Sequence, residues 1–148
     1  MARSLAAGVL SVVFLVGCGD SGRLSHREYQ AKLDAITQRL ASFGERNRSL
    51  GHVISSEYSA VLTQRYAALE ERVATTLEGL RPPTDAERAN ALLARGSRDY
   101  ATESRAALPG LETLALGEAP RVVDRRTAKA RRELEQATKE LRKAGYHF

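Results

Sequence analysis

The residue with the most definite chemistry is the lone cysteine, Cys18, in the run Leu15-Val16-Gly17-Cys18. A thiol can accept a diacylglycerol as a thioether, and this quartet reads as a lipobox cut between Gly17 and Cys18. Residues 1–17 supply the rest of a lipoprotein signal peptide. Arg3 gives a positive start, and Leu5 to Val16 is an apolar stretch shorter than the roughly 20 residues a spanning helix needs. An ordinary secretory signal with a chance cysteine, or a short uncleaved anchor, is the rival reading. Lipid on Cys18 would add about 0.8 kcal/mol per buried methylene, enough over several acyl chains for lasting attachment. The expected location is therefore outside the cytosol, tethered to the extracytoplasmic face of the cell membrane or to the outer membrane. A single cysteine also excludes an intrachain disulfide in a compartment that would permit one.

Little else is arranged for catalysis. Haem in a helical bundle needs core-facing His or Met ligands. The sole methionine is Met1, and His26, His52 and His147 fall in a helix cap, an expected loop and the tail after the last helix. Arg23, Ser49 and Ala144 stand three places before the histidines, so the Glu-x-x-His pattern of carboxylate-bridged metal pairs is missing. No zinc spacing, Gly-x-Ser-x-Gly elbow, Ser-x-x-Lys pair or glycine-rich phosphate loop occurs. The neighbours Glu70 and Glu71, like Glu133 and Glu135, point to different helix faces and read as solvated charges rather than an acid–base pair. Tyr58 and Tyr66 share a face and are expected in the core with their hydroxyls at its rim. No catalytic residue, cofactor or metal site is expected.

Charge is concentrated at one end. Residues 121–148 hold nine basic and four acidic side chains, whereas residues 18–120 hold 13 and 14. The last segment thus carries the excess behind the formal net charge of +5. Arg125, Arg126, Lys129, Arg131 and Arg132 form either a solvated face or a contact surface for an anionic envelope polymer or an acidic envelope protein. Nucleic acid is not expected as a partner, because export would separate the chain from it.

Four segments have helical periodicity. Ser25 and Glu28 have capping-box form ahead of Tyr29, Leu33, Ile36, Leu40 and Phe43, which share one face. A polar break is expected from Gly44 to Gly51. Tyr58, Leu62, Tyr66, Leu69, Val73, Leu77 and Leu80 repeat similarly until Arg81-Pro82-Pro83 stops the helix. A second capping box, Thr84 with Glu87, opens a third segment with a weaker face and potential kinks at Gly96-Ser97 and Pro109-Gly110. From Pro120 a fourth helix carries Val123, Thr127, Ala130, Leu134, Ala137, Leu141 and Ala144, closed by Gly145 with Tyr146 folding back on Leu141. The pattern predicts an all-α chain: a tether at 18–24, then an up-down-up-down four-helix bundle over 25–148. A three-helix bundle with a loose third segment is the alternative.

The lipobox, the polar spacer, Leu24-Ser25-His26-Arg27-Glu28-Tyr29 with Ala35-Ile36, the Leu80-Arg81-Pro82-Pro83 turn and the closing Gly145-Tyr146 resemble small lipoproteins of actinobacteria and related GC-rich bacteria. Many of these carry a cysteine pair, one member of which would stand at Thr37 here; this chain lacks the pair. The resemblance implies a helical body on a lipid anchor and implies no site. The expected function is a non-enzymatic envelope binding module. The alternative is a carrier or sensor of a small apolar ligand between the helices, in a cavity left by small residues such as Gly96, Ala130 and Ala137.

Overall fold

A computed structural model describes residues 22–48, 56–111, 113–114 and 118–148. Five helices account for most of them: α1 (His26–Arg48), α2 (Ser56–Glu78), α3 (Glu87–Leu111), α4 (Glu118–Arg126) and α5 (Ala128–Lys143). No strand occurs among the described residues. Cross-contacts fix the directions. Leu24 N–H donates to Arg81 O at 2.8 Å, while Phe43 meets Tyr66 with ring centroids 5.3 Å apart, so α1 and α2 are antiparallel. Tyr66 against Tyr100, and the Asn90 amide against Leu77 O, make α2 and α3 antiparallel. Arg95–Glu133 and Arg88–Glu140 do the same for α3 and α5. The path is up-down-up-down, with α4 and α5 together forming the last leg.

Local chemistry explains where the helices begin and end. At α1 the Ser25 hydroxyl accepts from Glu28 N–H, and the Glu28 carboxylate accepts from Ser25 N–H at 2.8 Å, which completes both halves of a capping box. The second expected box does not form. Residues Thr84–Ala86 make a 3-10 turn, Glu87 N–H donates to Thr84 O, and the Glu87 carboxylate instead pairs with Arg23 at 2.8 Å. Gly44 does not end α1, which runs on to Arg48. Nor do Gly96-Ser97 and Pro109-Gly110 interrupt α3. The loop expected from Gly44 is thus shorter at its start, and residues 49–55 lie outside the described residues.

The last helix breaks where the sequence pattern is continuous. Thr127 has ψ near 1°, far from the helical value of about −42°. Its hydroxyl and its N–H both reach Val123 O, at 2.9 Å each. The same back-bond at Thr37, Thr75, Thr76, Thr102 and Thr138 leaves their helices unbroken, so it does not by itself set the break at which α4 and α5 meet. The C-terminal cap follows the sequence closely: Gly145 takes φ +85°, Tyr146 N–H reaches Leu141 O at 3.0 Å, and Gly145 N–H reaches Arg142 O at 3.1 Å. This is a Schellman motif, with the left-handed position filled by glycine at no steric cost.

The larger core cluster lies where the N-terminal half of α1 meets the ends of α2 and α5. Tyr29, Leu33, Leu77, Leu93 and Leu141 are fully enclosed there. Tyr29 couples three helices: its hydroxyl donates to Asn90 Oδ1 at 3.1 Å, and Asn90 Nδ2 donates to Leu77 O at 2.9 Å. A smaller cluster around Ala60, Leu111 and Ala119 sits at the other end. Between α3 and α5 the small residues bring the backbones together. A Cβ built on Gly96 would lie 2.9 Å from Leu134 Cγ and Cδ2, so the Leu134 side chain already fills that notch. Ala130 and Ala137 are buried in the same seam. At Gly96 the small residue thus permits close approach of α5 instead of leaving a void.

Candidate functional site

Gly17 and Cys18, the expected cleavage and lipidation positions, lie outside the described residues. The expected basic face is divided by the Thr127 bend: Arg125 and Arg126 sit on α4, Lys129, Arg131 and Arg132 on α5, and all five are exposed. Arg131 is tied to Asp124 at 2.6 Å, and Arg125 Nε donates to Arg121 O at 3.4 Å. Two acids of α5 turn inward to its neighbour, Glu133 toward Arg95 at 3.2 Å and Glu140 toward Arg88 at 3.5 Å. The positive charges of α4 and α5 are thereby left facing outward, and among the described residues no acid holds Arg126, Lys129 or Arg132.

The described histidines, His26 and His147, are both exposed. The His26 ring stacks on Tyr146 with centroids 4.0 Å apart, and Gln30 makes two bonds to the His147 backbone, at 2.8 and 2.9 Å. His52 lies outside the described residues.

One sequence reading needs correction. Glu70 is not a solvated charge; it is 3% exposed between α2 and α3. Burial pushes the Glu70 pKa up, and the neighbouring hydroxyls of Tyr66 and Ser97 only partly oppose the shift. Burial likewise raises the Tyr66 phenol, helped by the charge of Glu70. Ser104 sits on the same side of α3, and its buried Oγ has no hydrogen-bond partner among the described residues. Glu71, one residue on, points elsewhere as helix geometry requires, and it bridges Arg98 and Arg105. Glu133 is also held rather than free, in its pair with Arg95. Tyr66 is half-buried beside Glu70.

A second basic surface escaped the sequence reading. The later half of α1 and the facing half of α2 leave an open groove of about 840 Å³ between them. Arg39 and Arg46 line it from α1, Arg65 and Arg72 from α2, and no carboxylate lines it. Each pair is spaced by seven residues, so each shares a helix face beside the apolar stripe. That spacing was the available signal, but it marks a groove only once the two helices are known to be neighbours. Among the described residues, the guanidinium groups of Arg39, Arg65 and Arg72 have no acid or hydrogen-bond acceptor, whereas Arg46 has a contact of its own. By contrast, Arg98 is held by both Glu71 and Glu78.

No protein-family model, curated protein or solved structure matches this chain significantly.

Proposed function

We infer that the chain is an exported envelope lipoprotein, anchored through lipid on Cys18, and that its bundle is a non-enzymatic binding module. The partner is an anionic envelope protein or polymer, met by the outward basic face of α4 and α5. The anchor rests on the order of positive start, short apolar run and Leu15-Val16-Gly17-Cys18. The contact surface rests on one observation: Glu133 and Glu140 pair with Arg95 and Arg88 of α3, and among the described residues no acid holds Arg126, Lys129 or Arg132. Exposed charge of one sign favours association with an oppositely charged surface and does so in a salt-dependent way. The likeness to small actinobacterial lipoproteins agrees with the same anchor and body.

Two experiments divide this reading. Cys18→Ser is expected to abolish radiolabelled palmitate incorporation and to release the chain from membranes; unchanged incorporation would sink the anchor. In-cell crosslinking of the tethered chain is expected to capture one dominant envelope partner. Reversing Arg125, Arg126, Arg131 and Arg132 to glutamate should remove that product, and its survival would show that α4 and α5 are not the contact.

A further inference from the structure

We propose that the groove between α1 and α2 binds a single-chain lipid with a phosphate head, on a surface separate from the α4–α5 face. The groove combines two features that one ligand must satisfy together. Its floor is apolar, built from Ile36, Leu69 and Val73, with the half-buried Phe43 ring toward its far end. Its walls are cationic, and the antiparallel packing brings the Arg39 end of α1 beside the Arg72 end of α2. Both of those guanidinium groups are exposed and without an acid partner among the described residues.

Like charges gathered around one cleft repel each other, and an anion relieves that repulsion. Two guanidinium forks match a phosphate oxygen set bidentately, which a neutral or purely apolar ligand could not use. From Arg39 to Arg46 the floor runs about 10 Å along α1 at 1.5 Å per residue, enough for a medium-length alkyl tail laid toward Phe43. Burying that tail removes apolar surface on both sides from water. A free phosphate would use only the walls, and an uncharged chain only the floor.

The space opens where α1 passes beyond its anchoring contacts. The first half of α1 is fastened by Leu24 to Arg81, by Tyr29 to Asn90 and by Gln30 to His147. The groove begins at Ala35, beyond these ties, and runs toward the Phe43 ring against Tyr66. Ala68 lines it from α2, a small residue where a larger one would occupy the floor.

The test uses the full chain in neutral phosphatidylcholine nanodiscs and a medium-chain alkyl phosphate bearing a diazirine at the tail end. Photolabel is expected on residues 35–46 and 65–76, mapped by mass spectrometry. Unlabelled alkyl phosphate should compete at least about tenfold better than either inorganic phosphate or the alkanol of the same length. Arg39→Gln with Arg72→Gln should reduce labelling by about tenfold or more. Ala68→Phe should do so while leaving both arginines in place. Equal competition by inorganic phosphate would exclude the tail, and equal competition by the alkanol would exclude the head. Labelling spread over the chain, or unchanged in the arginine variant with its helicity intact, would overturn the site. The α4–α5 crosslink is read separately and should persist in the arginine variant.

Discussion

Two buried polar clusters in this bundle solve the same problem with different success. Near the Tyr29 end, each polar group has a partner. Tyr29 gives its proton to Asn90, Asn90 gives one to Leu77 O, and Tyr146 gives its own to Asp85 at 3.1 Å. In the middle, Glu70 sits enclosed with a raised pKa, and Ser104 Oγ has no partner among the described residues. The first cluster joins α1, α2 and α3 and fixes how α1 docks. The second carries a desolvation cost that the hydroxyls of Tyr66 and Ser97 do not cancel. A satisfied network specifies the fold, while an incompletely satisfied one lowers its stability and lets pH act on it.

Breaking the satisfied cluster should have the largest effect. Tyr29→Phe keeps the ring and leaves buried Asn90 Oδ1 without its donor, which costs about 1–3 kcal/mol. Urea unfolding of the full chain in nanodiscs, read by circular dichroism, should show the loss; an unchanged midpoint would mean the hydroxyl does not hold α1. The middle cluster should respond with the opposite sign. Glu70→Gln keeps the shape and removes the charge, so stability at pH 7 should rise by on the order of 1 kcal/mol.

The pH dependence gives that prediction a second reading. Because the folded pKa of Glu70 lies above its ordinary 4.5, the native state holds the proton more tightly than the unfolded chain does. The Glu70 contribution is therefore full below about pH 4.5 and is lost as pH rises through the raised value. Melting curves of the parent chain should carry this decline and those of Glu70→Gln should lack it. If both respond alike over that window, the carboxyl is hydrated in solution. The smallest effect is expected from Ser104→Ala. Deleting a hydroxyl with no partner should be neutral or stabilise by up to about 1 kcal/mol. A clear loss would reveal a partner for that hydroxyl.

Much of the fold was legible because helix signals are local. Ser25 with Glu28 and the Gly145 cap each need only a few neighbouring residues and formed as read, while α2 ends at Glu78, shortly before the expected stop at Arg81-Pro82-Pro83. The errors came where distant residues competed. Thr84 lost Glu87 to Arg23, which arrives from before α1. Gly96 read as a potential kink or void, yet α3 continues through it and Leu134 of α5 occupies the notch. Glu70 read as solvent-facing because charged residues usually are. Its burial depends on α3 bringing Ser97 beside it.

The candidate surfaces divide the same way. The basic excess of residues 121–148 was visible as composition, but which of those charges remain free was decided by the reach of Arg88 and Arg95 across to α5. The arginines at 39, 46, 65 and 72 were visible only as scattered charge until α1 and α2 were set side by side.

By itself the sequence determined the helices, most of their ends and the all-α class, because backbone geometry, capping and hydrophobic period act over one or two turns. Only the tertiary structure decided the burial of Glu70 and the opening of an arginine-lined groove. Those depend on which faces meet across the bundle, and pairwise contact between residues far apart in the chain leaves no local trace in their spacing.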